Sequence, residues 1–212
     1  MKLDPFIFIE FTTLIFSITI HEASHALVAD KCGDPTAKNL GRITLNPIPH
    51  IDPIGTIVIP VAIMLFNPGL ALIGWGKPCP VNPLNFNNRE RDDIFISLAG
   101  PLSNFLAALA SVLLLKVLLV TGIHSTGVFA LFKSLISINL ILIVFNLIPI
   151  PPLDGSHVLR QFLPERQKAI FNILDKWGIL ILLIFINTPL FAIFYRILAR
   201  PLMHLFNYII LL

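Results

Sequence analysis

Four stretches of this chain, 5–30, 94–120, 129–150 and 178–199, are each apolar over the roughly 20 residues a helix needs to cross a bilayer. Few folds are open to such a chain, because a backbone in hydrocarbon must satisfy its own N–H and C=O groups. Composition points the same way: 56% of the 212 residues are hydrophobic, 13% are charged, and the mean hydropathy is +0.85. A soluble domain carries about 25% charged residues, and a single core of this length could not hide so many Leu, Ile and Phe side chains from water. Disorder, whose signature is low hydrophobicity, is excluded on the same grounds. The expected fold is an all-α polytopic membrane protein with about four transmembrane helices.

A further apolar stretch, 54–73, contains Pro60, Asn67, Pro68 and Gly69, and its uninterrupted part is short for a span. It reads as a re-entrant segment. Residues 40–53, LGRITLNPIPHIDP, begin β-branched and end proline-rich, and are read as a short membrane-associated β-hairpin. Residues 74–93 form a Pro- and Asn-rich loop, 154–176 an interfacial, partly helical segment, and 201–212 an apolar tail too short to cross. The net charge of +3 comes with no dense Lys/Arg cluster, so it reports membrane orientation, and no nucleic-acid partner is expected. Cys32 and Cys79 fit no metal-pair spacing and no disulfide framework. The run Phe6–Ile20 resembles a signal peptide in length. It has no basic start beyond Lys2, carries Glu10 and leads into His and Glu, so it is kept as mature protein.

The first apolar stretch runs directly into His21-Glu22-Ala23-Ser24-His25, an H-E-x-x-H string. On a helix, positions i and i+4 share a face, so both imidazoles can reach one metal with the glutamate beside it. Two histidines and a glutamate in hydrocarbon are costly unless they bind something; the plainer alternative is a polar helix end near the headgroups. A catalytic zinc takes three protein ligands, and the remaining intramembrane candidate is Asp154, which follows the fourth stretch in NLIPIPPLDG. Alone, an Asp-Gly after prolines is most simply a turn. Paired with the histidines it becomes the best third ligand.

His21–His25 together with N-x-x-P-x-x-x-L-D-G from Asn146 to Gly155 resembles the site-two protease family of intramembrane zinc metalloproteases. Gly41–Thr56, Gly74–Pro83 and Ser97–Asn104 resemble strings of its compact prokaryotic branch, which lacks a PDZ domain, and the likeness covers about residues 15–160. It implies one Zn2+ per chain on His21, His25 and Asp154, Glu22 as the catalytic glutamate, and Asn146 as a polar residue near the oxyanion. Asn146 is equally open to a helix-to-helix hydrogen bond. The string from Gly100 to Asn104 is read as a helix-packing motif, with Asn104, Ile43 and Leu45 as candidate substrate contacts. The resemblance also implies a single integral membrane protease domain over 1–212, with a catalytic core at about 5–160 and a helical C-terminal region at 161–212. Single-span membrane-protein substrates are then expected partners, with the lipid bilayer as surroundings. His50 could tune the site or be solvated in its loop, His157 could support Asp154 or face water, and His124 and His204 read as interfacial.

For His21, His25 and Asp154 to meet, the first and fourth stretches must run in the same direction, so an odd number of crossings lies between them. The third supplies one, which again makes 54–73 re-entrant. With this topology ten of the fifteen basic residues lie in loops on the metal's side, and positive loops stay in the cytoplasm. The expectation is a multi-pass cell-membrane protein with its site nearer the cytoplasmic face. Two rival readings are a zinc-dependent silent scaffold, to which Glu22 contributes nothing, and a metal transporter, which needs further ligands along a path that the spans hardly offer.

Overall fold

The computed structural model describes residues 5–66, 74–123 and 125–211. Its helices are α1 (Pro5–Lys31), α2 (Thr36–Asn39), α3 (Ile59–Phe66), α4 (Arg89–Val120), α5 (Thr126–Asn146), α6 (Asp154–Gln161), α7 (Glu165–Ile186) and α8 (Pro189–Leu211). Of these, α1, α4 and α5 are long and apolar enough to cross a membrane. The stretch expected as one span at 178–199 is broken: α7 and α8 meet at 84° across Asn187 and Thr188, with Pro189 opening the second helix. A residue before proline is pushed out of the helical region. The pair adds at most a fourth span.

Helix directions follow from the side chains that meet. Thr13 Oγ1 lies 2.6 Å from Ser134 Oγ, and Asn139 Nδ2 donates to Ser17 Oγ at 2.9 Å, so numbers rise together along α1 and α5. Asn104 meets His21 while Ile96 meets His25, so α4 runs against both. α1 and α5 are therefore parallel, as the meeting of His21, His25 and Asp154 requires. Lipid tails give no hydrophobic drive for such contacts, which rest on close approach and interhelical hydrogen bonds. Accordingly α1 buries Ala26 and Ala29, and α4 buries Ala99, Gly100, Asn104, Ala108 and Ser111, while Phe8, Phe16, Leu102 and Leu106 face outward.

α1 stops where Gly33 adopts φ +100 and the Asp34 N–H reaches back to Ala29 O at 2.9 Å, a glycine-terminated helix end. Gly33 also has no room for a Cβ, which would sit 2.8 Å from Asn85 O. Asp34, fully buried, accepts from the Thr36 hydroxyl and from Thr36 N, Asn82 N and Asn85 Nδ2, the last three at 3.1, 2.7 and 2.9 Å. Burial acts to raise its carboxyl, but these bonds hold it below the usual carboxylate value. The end of α1 is thereby tied to the loop that precedes α4.

The expected hairpin over 40–53 is not formed, and there is no strand among the described residues. Local side chains take the backbone groups that a ladder would need. Asn46 N–H donates to Thr44 Oγ1 and Ile48 N–H to Asn46 Oδ1, each at 3.1 Å, and Ile54 and Gly55 N–H donate to Asp52 Oδ1 at 3.0 and 2.7 Å. Pro47, Pro49 and Pro53 have no N–H to offer. The result is a short 3₁₀ turn at Ile48–His50, then a π-helical segment at Pro53–Val58 leading into α3. Residues 67–73 of the segment read as re-entrant lie outside the described residues. The chain leaves at Gly55 and is back beside it at Trp75, whose N–H donates to Gly55 O at 3.3 Å, so these two points share one side of the protein.

The C-terminal helices brace the turn after α5. Leu182 is buried with Ile148 and Leu153, and a Cβ on Gly178 would overlap Pro151 O. α7 thus lies directly on the proline-rich turn that carries Asp154.

Candidate metal centre

His21 and His25 lie one turn apart on α1, and Asp154 opens α6. A Cβ on Gly155 would overlap Leu147 O and sit 2.8 Å from Ile148 O. Only glycine lets the first turn of α6 rest on the end of α5, and this turns Asp154 inward. At its other end α6 is fastened to α4 through Asp93, which accepts from Gln161 Nε2 and lies 3.6 Å from His157 Nδ1. The Asp93 carboxylate beside it raises the His157 imidazole above its usual value.

The three side chains meet at single atoms. His21 Nε2 and His25 Nε2 are 3.0 Å apart, and Asp154 Oδ2 lies 3.2 Å from the first and 3.4 Å from the second. Both histidines are buried, and Asp154 Oδ2 is buried without a hydrogen-bond partner. The partners at the other ring nitrogens decide the tautomers. His25 Nδ1 faces Ile96 O at 2.7 Å; a carbonyl only accepts, so Nδ1 carries the hydrogen. Asn104 donates Nδ2 to Ser17 O at 3.2 Å and to Asn139 Oδ1 at 2.7 Å, so its Oδ1 accepts from His21 Nδ1 at 2.6 Å.

In the neutral form of each ring Nε2 is then the acceptor, so with Asp154 Oδ2 three ligand atoms can turn lone pairs toward one another. A cation resolves that arrangement. Three ligands about 2.0–2.1 Å from one tetrahedral ion stand about 3.3–3.4 Å apart, close to the three separations found, and two imidazoles with a carboxylate form a donor set suited to zinc. Among the described residues this is the one group of three or more His, Cys, Asp or Glu able to hold a metal.

Asn104, expected among the substrate contacts, is fully buried behind His21. Sequence reasoning missed its partners Asn139 and Ser17, although an amide in an otherwise apolar span is itself a signal. Groups behind a metal-binding histidine are worth about 10–100-fold in metal affinity. Asn104→Ala is expected to weaken zinc binding by about that factor, read by competition with a chromogenic chelator; unchanged affinity would reduce the contact to helix packing. Asn146, read as a group near the oxyanion, donates Nδ2 to Leu142 O of its own helix at 3.0 Å. Ile43 and Leu45 are exposed. His124 lies outside the described residues.

Glu22 sits between the two histidines, half-buried, and its Oε2 accepts from the Cys79 N–H at 2.8 Å. Beside Cys79 the loop is held by His50, whose carbonyl accepts from Lys77 N–H at 2.8 Å. His50 is not solvated: it is fully buried, its Nε2–H donates to Thr44 O at 3.0 Å, and Nδ1 has no partner. Burial, with the Arg42 guanidinium nearby, pushes its imidazole below the usual value. A histidine held neutral stabilises the fold in full above about pH 6.5. That contribution is lost as the pH falls toward the lowered native value, because the unfolded chain takes up a proton that the native chain refuses. The Tm in detergent is expected to fall between about pH 7 and 5, with His50→Asn removing that part of the slope.

The profile of Peptidase family M50 matches residues 120–186, which include Asp154. "Putative zinc metalloprotease YwhC" of Bacillus subtilis (strain 168) is 40% identical over 195 residues, 90% of this chain and 84% of that protein. "Putative zinc metalloprotease Rip2" of Mycolicibacterium smegmatis (strain ATCC 700084 / mc(2)155) is 34% identical over 181 residues, 82% of this chain and 65% of that protein. The Rip2 of Mycobacterium tuberculosis (strain ATCC 25618 / H37Rv) is 36% identical over 160 residues, 74% of this chain and 58% of its own. No solved structure matches. With a relative this similar aligned over most of both chains, and with these side chains gathered between α1, α4 and α6, the chain belongs to peptidase family M50, the site-two protease family of metallopeptidases.

Proposed function

We propose that the chain is an intramembrane zinc endopeptidase that cleaves peptide bonds within or near the transmembrane segments of single-span membrane proteins. The observation that carries this reading is the convergence of three ligand atoms, two from the membrane-crossing α1 and one from Asp154 at the start of α6, with Glu22 beside them. His21, His25 and Asp154 would hold the ion. When bound, zinc supplies Lewis-acid chemistry, polarising a scissile carbonyl and acidifying water where bulk water is scarce. Glu22 takes the proton of the attacking water and returns it to the leaving amide nitrogen. Asn146 has a second amide hydrogen that can serve the developing oxyanion, and Ile43 and Leu45 offer apolar contacts to the substrate. The excess of basic residues in loops on the metal's side supports a site nearer the cytoplasmic face.

The test is zinc content and cleavage together, on full-length protein in proteoliposomes. The probe is a single-span peptide labelled at both ends, with an Asn-Pro pair in its apolar stretch. About one zinc per chain, lost with Asp154→Ala, and cleavage stopped by chelation and restored by zinc are expected. Full zinc binding by Asp154→Ala would overturn the ligand set. Cleavage indifferent to chelation would overturn the reaction.

A further inference from the structure

The loop from Trp75 to Asn82, WGKPCPVN, is spent almost wholly on one edge. Trp75 N–H donates to Gly55 O, Lys77 N–H to His50 O, and Cys79 N–H to Glu22 Oε2. Alternate residues of an extended chain face the same side, and these three do so in register. Trp75 O accepts from Thr56 Oγ1 at 2.7 Å, and Lys77 O accepts from the Arg42 guanidinium. The intervening Pro78 and Pro80 have no N–H and hold Lys77 and Cys79 extended. The far end is tied down by Asn82 N–H on Asp34 Oδ2 at 2.7 Å. At Gly76 the backbone lies directly on α1: a Cβ there would overlap Ile18 and come within 3.5 Å of Glu22 Cγ. The strap is thus fixed at both ends, and its Cys79 amide is aimed at one carboxylate oxygen. Oε1 is left with no protein donor among the described residues.

We propose that the Trp75–Asn82 strap is a positioning element for Glu22, its Cys79 N–H holding Oε2 so that Oε1 alone is presented to the attacking water. The proposal rests on Glu22 acting as the base of the proposed protease reaction. A carboxylate on a flexible stem samples several rotamers, whereas one fixed by a charge-assisted bond from a rigid backbone is already placed for proton transfer. The Cys79 side chain has no part in this. Burial, with Glu22 nearby, pushes its thiol up to about 12, which leaves it protonated and inert.

Because the donor is a backbone group, proline deletes it in a stretch that already alternates with prolines. Cys79→Pro, as full-length zinc-loaded protein in proteoliposomes with the labelled single-span peptide, is expected to lose about 10- to 100-fold in kcat. KM and zinc stoichiometry should hold. Cys79→Ala, which keeps the N–H, should restore kcat to within about threefold of wild type. Gly76→Ala, which pushes the strap off α1 by a different route, should reproduce the kcat loss with zinc retained. Wild-type kcat in Cys79→Pro overturns the proposal. So does loss of zinc from both Cys79→Pro and Gly76→Ala, since the strap would then support the metal rather than the base. Cleavage that survives Glu22→Gln would instead remove the reading on which the strap's role rests, and that outcome is separate from either strap result.

Discussion

Glu22→Gln is expected to keep its zinc and to lose about 10²–10⁴-fold in cleavage rate, the contribution of a positioned general base. The two amino acids are nearly the same size, and Glu22 contributes none of the three ligand atoms that meet at the site, so occupancy should not change. A glutamine oxygen can still accept the Cys79 N–H, so the strap keeps its seat while the proton acceptor is gone. The loss should therefore fall on kcat, with KM little altered, because binding of the substrate helix does not pass through this carboxylate. Zinc measured by mass spectrometry on the same samples used for kinetics separates the outcomes. Retained zinc with wild-type turnover would show that another group handles the proton. Lost zinc would mean that Glu22 supports the metal.

What the sequence made legible, and what it did not, divides along physical lines. That His21 and His25 come together is legible because helical spacing alone places i and i+4 on one face, and that Asp154 joins them because a metal site of this kind takes a third donor and an acidic side chain follows an apolar run. The parallel course of α1 and α5 followed from those ligands having to meet, and the pairs Thr13–Ser134 and Ser17–Asn139 show that course. The hairpin suggested by β-branched Ile43 and Thr44 does not form because the Asn46 and Asp52 side chains capture the backbone groups that a ladder needs. Asn187 and Pro189 mark the break between α7 and α8, which the apolar length of 178–199 alone does not reveal. Asn104, Asn139 and the Cys79 amide lay further out of reach. Each acts through a partner at least 35 positions away, and which amide meets which acceptor is decided by how three helices and a loop pack. A backbone donor leaves no mark on the sequence at all.

Gly100→Ala is expected to empty the metal site, with zinc affinity falling by more than about 10²-fold. If Gly100 served only close helix approach, alanine in the middle of α4 would be mildly harmful to packing yet gain about 0.5–1 kcal/mol in helix propensity. The structure gives a different account, since a Cβ at position 100 would overlap His21 Cε1 and His25 Nε2, the rings themselves rather than a neighbouring helix backbone. Neither ring can give way cheaply. His21 is held at Nδ1 by Asn104 and His25 at Nδ1 by Ile96 O, so a swing that clears the methyl group breaks a buried hydrogen bond, at about 1–3 kcal/mol. α4 cannot back away either, with buried Ala99 and Pro101 on both sides of the glycine. Gly127→Ala provides the contrast: nothing lies within 4 Å of its Cβ position, so zinc affinity and Tm should match or slightly exceed wild type. Zinc titration of both variants in detergent decides the matter. Wild-type affinity in Gly100→Ala would return the glycine to helix packing, whereas loss confined to Gly100→Ala would mean that its missing side chain is the space in which the imidazoles hold the ion.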